Sequence, residues 1–232
     1  EDYGEEIQMN MEDVRELVEE LELELLKSED VSWEQEQKAA EALEKMDEIF
    51  EACRPDAVLH FAGSTIVGES MENPLDYFRN NTINGFTLLD CARKHEVRKF
   101  IFSSTCATYG IPAQIPITET CPQLPTNPYG ASKLAFEQML RSHAKQSGME
   151  AVIFRYFNAA GASTKYGEFH DPETHLIPRL LQVAMGKQNH ISLYGTNHPT
   201  KDGTCIRDFI HVEDVCRALQ FCLKKTTTRT GF

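Results

Sequence analysis

The chain has 232 residues, 41% of them hydrophobic, and a formal net charge of −13. That length buries a core for one domain or one and a half, and the acidic balance excludes the basic footprint of a nucleic-acid binder. No signal peptide is recognisable and no apolar run is long enough to cross a bilayer, so neither nucleic acid nor membrane is an expected partner. The first residue is Glu rather than Met, so an upstream segment, a targeting sequence included, is expected to have been removed or omitted.

The charge is unevenly placed. Residues 1–52 carry twenty Asp and Glu against four Lys and Arg, and the remainder is close to neutral. Within that acidic segment, residues 9–27 read as an amphipathic helix with Val14, Leu17, Val18, Leu21 and Leu25 on one stripe. Ser32 with Gln35 reads as a capping box opening a second helix that runs to about Cys53, lined by Ala39, Leu43, Met46 and Phe50 and stopped by Pro55. Residues 1–53 are therefore an acidic helical hairpin whose outer face is a solvated charged surface.

Strands and helices then alternate. Ala57–Phe61, Lys99–Ser104 and Ala151–Phe157 are near-continuous apolar runs, as buried parallel strands require. Helices are expected near 73–95, 127–147, 174–186 and 212–225. The alternation predicts an α/β fold, a Rossmann-type doubly wound parallel sheet whose ligands bind beyond the carboxyl ends of the strands. Gly63, Thr105 and Asn158 fall at those ends. Residues 54–157 form the first part of this sheet, and 158–232 an interleaved region in which sheet elements return. Seven cysteines, odd in number and without a Cys-x-x-Cys pair, read as buried thiols in a reducing compartment, hence a cytoplasmic location. His60 and His211 sit within apolar strand patterns and read as satisfied core histidines. No His/Cys/Asp cluster has metal-ligand spacing, and no metal is expected.

The chemistry concentrates at Tyr129-Gly130-Ala131-Ser132-Lys133 and Ser103-Ser104-Thr105. Tyr and Lys four residues apart on a helix share one face. There the ammonium favours the phenolate and lowers a pKa that is normally about 10, which suits proton exchange with a sugar hydroxyl. Taken alone, the spacing fits a surface Tyr and a solvated Lys equally well.

Three further stretches decide between these readings: Asp56-Ala57-Val58-Leu59-His60-Phe61-Ala62-Gly63, Arg155-Tyr156-Phe157-Asn158, and Asp202 to Val212 around Cys205-Ile206-Arg207-Asp208. In order and spacing they resemble the extended short-chain dehydrogenase/reductase family, most of all its UDP-sugar 4-epimerases, over roughly residues 46–232. The resemblance implies an NAD-dependent isomerase that epimerises C4 of a UDP-hexose through a 4-keto intermediate, interconverting UDP-glucose and UDP-galactose. It assigns Tyr129 as base and then acid, Lys133 to tuning Tyr129 and holding the nicotinamide ribose, and Thr105 to orienting the 4-oxygen.

Cofactor contacts are implied for Phe61, Ala62, Gly63, Asn80, Asn81, Ser103, Tyr129, Lys133 and Tyr156. UDP-sugar contacts are implied for Thr105, Asn158, His175, Leu176, Tyr194 and Arg207. In isolation, Gly63 also reads as a turn, Tyr156 as a sheet-core aromatic, and Arg207 as the salt-bridge partner of Asp208. Thr65 stands where several relatives carry Lys, and the interval from Asn80-Asn81 to Gly85 is one residue longer than in many of them. Relatives commonly form homodimers through two helices per subunit, for which 73–95 and 127–147 are the candidates.

The Gly-x-x-Gly-x-x-Gly turn that would hold the pyrophosphate is missing, since Gly4 is the only glycine before Gly63. Either that turn lies upstream and the chain is incomplete at both ends, which is the reading preferred here, or the acidic hairpin replaces the first βαβ unit and the chain is a catalytically impaired scaffold. Dehydratases of nucleotide sugars carry an acidic pair where this chain has Cys106-Ala107. A UDP-xylose/UDP-arabinose 4-epimerase is the remaining rival, because Ser103–Gly110 also resembles the pentose enzymes.

Overall fold

The computed structural model describes residues 33–168, 170, 173–193 and 195–224. The first expected helix, 9–27, lies outside them. The chain divides into two compact units, Glu1–Ala52 and Cys53–Phe232.

Of the first unit, helix α1 (Trp33–Cys53) is described. Its less exposed positions include Leu43, Met46 and Phe50, which the sequence places on the apolar stripe. Arg54 follows at a positive φ of 44° and Pro55 comes next, so the helix stops where expected.

The second unit runs β1 (Ala57–His60), α2 (Val67–Glu72), α3 (Pro74–Phe78), a π-helical turn (Arg79–Ile83), α4 (Asn84–Lys94), β2 (Lys99–Thr105), a 3₁₀ turn (Cys106–Tyr109), α5 (Pro128–Ser147), β3 (Glu150–Tyr156), β4 (Asn158–Ala160), α6 (Leu176–Ala184), β5 (Phe209–His211) and α7 (Val212–Lys224). β1, β2 and β3 form a parallel sheet in that order, with Leu59 opposite Ile101 and Thr105 opposite Tyr156. β2 lies in the middle and all its residues except Ser103 are buried, which is why its sequence reads as a continuous apolar run rather than an alternating one.

The sheet is covered on both faces. Phe136 of α5 packs on Phe102 and Phe100, with ring centroids 4.6 and 6.0 Å apart. On the opposite face, Ile101 meets Val215 and Leu219 of α7, joined by Leu59, Val152, Phe154 and Tyr156. Side chains alternate across a strand, so Phe100 and Phe102 go to α5 while Ile101 goes to α7. This is the doubly wound arrangement the pattern predicted.

The single helix expected over 73–95 is instead α3, the π turn and α4 in succession. A π turn takes up one extra residue within a helix. Past it, Gly85 abuts Phe136: a Cβ there would stand 2.8 Å from the ring. β4 and β5 pair in parallel as a separate two-stranded sheet that the sequence reading did not resolve.

His211 in β5 departs from the expected core histidine. β5 is exposed along its length, and the His211 ring lies beside Gly161 while its Nδ1 accepts the Glu213 amide at 3.2 Å. His60 is buried as expected, 6% exposed and stacked on Phe102, but its Nε2 has no hydrogen-bond partner among the described residues. Burial, followed by the nearby positive charge of Lys133, lowers its pKa from 6.5 to about 4. The folded state therefore holds fewer protons than the unfolded one between about pH 6.5 and 4. Stability is expected to fall across that window by about 3 kcal/mol. Urea midpoints followed against pH should show this slope in the native protein and lose it in His60→Leu; an equal slope in both would refute the assignment.

Candidate active site

The three parallel strands end on one edge of the sheet, and the motif residues collect there. Thr105 closes β2 and caps the 3₁₀ turn, its Oγ1 accepting the Ala107 amide at 3.1 Å. α5 begins opposite that turn. Asn127 caps it by accepting the Gly130 amide at 2.8 Å, and Pro128 occupies its first position. Gly130 is required by close approach: a Cβ there would fall 2.5 Å from the Ala107 carbonyl oxygen. The small residue lets the first turn of α5 press against the 3₁₀ turn and brings Tyr129 within hydrogen-bonding reach of Thr105.

Tyr129 is 9% exposed and its ring meets that of Tyr77 edge-on, 6.3 Å between centroids. Burial raises its pKa above the ordinary tyrosine value, and the neighbouring Thr105 hydroxyl offsets this only partly. Lys133 is 3% exposed, and burial lowers its pKa to about 8. Its ammonium donates to the Ser103 carbonyl at 3.2 Å and lies over the Phe102 ring. The expectation that Lys133 draws down the Tyr129 pKa is thus not met: the ammonium is committed to Ser103, and desolvation governs the phenol.

The β1 end completes this edge. Phe61 and Ala62 are exposed there. A Cβ on Gly63 would stand 2.8 Å from Asn81 Oδ1 and 2.9 Å from Lys133 Nζ, so the backbone at Gly63 runs hard against both side chains. Asn81 is 1% exposed. Its Oδ1 accepts the Ser64 amide at 2.8 Å, and its Nδ2 reaches the Ser64 carbonyl and Ser132 Oγ. Asn81 therefore holds the loop after β1 rather than presenting its amide to a ligand. Asn80, half-buried, donates to Ser64 Oγ. Tyr156 ends β3 opposite Thr105. Its buried hydroxyl lies beside Ser103 without a well-aligned hydrogen bond, and burial pushes its pKa up to about 12.

The residues implied for the nucleotide sugar are less closely drawn together. Arg207 is exposed, and its charge acts on the Cys106 thiol, whose pKa burial raises and which adjoins Thr105. Among the described residues no ion pair joins Arg207 to Asp208. Asn158 Nδ2 donates to the Asp208 carbonyl at 2.7 Å, tying β4 to the start of β5. His175 precedes α6 and Leu176 opens it. The His175 ring turns to Glu168 and Glu173, and among the described residues it makes no hydrogen bond to the Tyr129 cluster. Tyr194 lies outside the described residues.

Chain folding brings the ligand atoms of Glu168, His170 and His175 within 4.8 Å of one another, a grouping that the sequence spacing does not mark. All three are exposed, and the Nδ1 atoms of both rings lie 3.2–3.3 Å from Glu168 Oε1.

Glu137 went unassigned in the sequence. It lies one turn beyond Lys133, fully buried, and binds Arg155 and Ser104. A carboxylate between Phe136 and Leu140 on the apolar face of a helix was the available signal.

Among the described residues, no helix is long and apolar enough to cross a membrane. Residues 29–231 match the model of the NAD dependent epimerase/dehydratase family. The chain is 49% identical over 175 residues to the UDP-glucose 4-epimerase of Halalkalibacterium halodurans, covering 75% of this chain and 52% of that one. The UDP-glucose 4-epimerase from Brucella ovis, solved in complex with NAD, superposes with a TM-score of 0.75 at 47% identity, covering 79% of this chain and 57% of that one. The enzyme from Bifidobacterium longum, solved with NAD+ and UDP, gives 0.74 at 39% identity, with 78% and 56% covered. This chain thus spans about half the length of the relatives it matches. A parallel sheet covered on both faces, with Thr105, Tyr129 and Lys133 gathered at its carboxyl edge, agrees with these likenesses, and the chain belongs to the NAD dependent epimerase/dehydratase family.

Proposed function

We propose that the whole protein is an NAD-dependent isomerase that inverts C4 of a UDP-hexose, interconverting UDP-galactose and UDP-glucose. The observation that carries this reading is the juxtaposition of the Tyr129 phenol with Thr105 at the end of β2, one helical turn from Lys133. In this reading Thr105 orients the sugar 4-oxygen, Tyr129 takes its proton and later returns it, and burial of both groups keeps bulk water from competing.

The residues fit the nicotinamide-ribose half of NAD. Gly63 leaves no room for a side chain beside Asn81 and Lys133, and Lys133, Ser103 and Tyr129 offer a donor, an acceptor and a hydroxyl suited to a ribose and a carboxamide. Tyr156 and the exposed Phe61-Ala62 edge would flank it, with Asn80 and Asn81 shaping the loop behind. NAD, when bound, supplies a reversible hydride acceptor. Asn158, Arg207, Tyr194 and the first amides of α6 at His175-Leu176 are assigned to the UDP moiety. An Arg fork suits a diphosphate, and a helix N-terminus suits an anion.

In this reading residues 54–157 belong to the NAD-binding part, 158–232 to the UDP-sugar region, and 1–53 to an acidic appendage. The groove between α4 and α5, lined by Phe86, Leu89, Ala135 and Met139, is the surface through which a homodimer would form, in a reducing, cytoplasmic setting. Incubating the whole protein and NAD separately with UDP-galactose and UDP-xylose tests the activity. Formation of UDP-glucose is expected, and turnover of UDP-xylose alone would move the assignment to a pentose epimerase. Failure to bind NAD would support the scaffold reading instead.

A further inference from the structure

Behind the candidate active site lies a buried ionic cluster that the proposed chemistry does not use. Glu137 is 0% exposed. Its carboxylate accepts Arg155 Nη2 at 2.7 Å, Arg155 Nε at 3.0 Å, Ser104 Oγ at 2.5 Å and Gln123 Nε2 at 3.1 Å. Arg155 extends the cluster by donating Nη1 to the Tyr109 hydroxyl at 2.6 Å, with its guanidinium over the Tyr109 ring. Arg141, on the solvent side, stands 3.7 Å from the carboxylate.

Each partner is a near neighbour of a residue in the site. Ser104 precedes Thr105, and Arg155 precedes Tyr156. Ser104 and Arg155 are paired across β2 and β3. Tyr109 ends the 3₁₀ turn that Thr105 caps. Glu137 itself follows Tyr129 and Lys133 at two successive intervals of four, on the same face of α5. The cluster thus links the three elements that carry Thr105, Tyr129 with Lys133, and Tyr156. Burial works to raise the Glu137 pKa, but the hydrogen bonds from Arg155, Ser104 and Gln123 hold it below the usual value, so the carboxylate stays charged.

We propose that Glu137 and Arg155 form a positioning unit, which sets the spacing of α5 against β2 and β3 and thereby the distance from the Tyr129 phenol to the Thr105 hydroxyl. The proposal rests on the epimerase reading for its kinetic arm, and its spectroscopic arm is independent of that reading. A buried ion pair is poor evidence of net stabilisation, since paired charges can often be exchanged for neutral groups without loss of fold. Bidentate geometry gives it directional precision, and misplacing a reacting group by about 1 Å costs about 10²-fold in rate.

The test uses Glu137→Gln/Arg155→Met, in which both buried charges are removed together, and Ser104→Ala, which cuts one hydrogen bond and leaves the ion pair intact. In the whole protein with NAD, the double variant is expected to keep a melting temperature near that of the native protein and a KM within about threefold. Its kcat should fall about 10²-fold, and Ser104→Ala should lower kcat about fivefold. Independently of turnover, tyrosine ring ¹³C NMR, with Tyr129→Phe for assignment, should place the Tyr129 titration above the ordinary tyrosine value natively and higher still in both variants, because lengthening the Thr105 contact weakens the interaction that lowers it. Native kcat and a native Tyr129 titration in both variants would overturn the proposal and leave the pair a purely structural one. A native protein without epimerase activity would refute the epimerase reading, and the Tyr129 titration would still decide the positioning role.

Discussion

Tyr129→Phe is expected to abolish turnover, with kcat down by about 10³-fold, within the range ascribed to a positioned general acid–base group. The ring is buried, 9% exposed, and set edge-on to Tyr77, so deleting one oxygen leaves the packing in place. Among the described residues none of those assigned to UDP hydrogen-bonds the Tyr129 hydroxyl, and the UDP dissociation constant should change by less than about twofold. Steady-state kinetics on UDP-galactose, paired with UDP titration calorimetry, separates the two effects. Near-native kcat would remove Tyr129 from the chemistry, and loss of UDP binding would mean that the substitution had disturbed the site as a whole.

Phe136→Ala is expected to produce the largest loss of stability among single core changes. Phe136 is 0% exposed and joins α5 to β1 and β2 through His60 at 5.5 Å, Phe100 at 6.0 Å and Phe102 at 4.6 Å. Truncating such a ring costs about 3–5 kcal/mol, a large share of the roughly 5–15 kcal/mol that holds a domain folded. Gly85 supplies an internal control. Its missing Cβ would stand 2.8 Å from the Phe136 ring, so Gly85→Ala should destabilise the native protein and cost clearly less in the Phe136→Ala background. Chemical denaturation of the two single variants and the double measures that coupling, and simple additivity would show that the ring does not occupy the space in front of Gly85.

These two residues were not equally legible. A Tyr four residues before a Lys, next to a strand ending in Thr105, is a local pattern, and it marks Tyr129 as a candidate base. Phe136 went unremarked within the expected helix, because which apolar ring fills the space beside Gly85 depends on chain segments far apart in sequence. Glu137 was missed for the same reason: its partners Ser104 and Arg155 lie 33 and 18 residues away. Asn81 was visible as a residue of interest, but its buried bonds to Ser64 and Ser132 make it a support for the loop after β1. His211 has apolar neighbours in sequence, as a core residue would, yet among the described residues β5 pairs only with β4 and stays exposed.

The sequence by itself determined the class of fold, the three strands of its main sheet and the family, since all three follow from periodicities and motifs confined to short stretches of chain. Tertiary structure alone decided the electrostatics of the site. Lys133 sends its ammonium to Ser103 rather than to the phenol, and Tyr129 titrates high because it is buried. Desolvation and hydrogen-bond partnership depend on what the rest of the chain places around a group, and no local spacing encodes that.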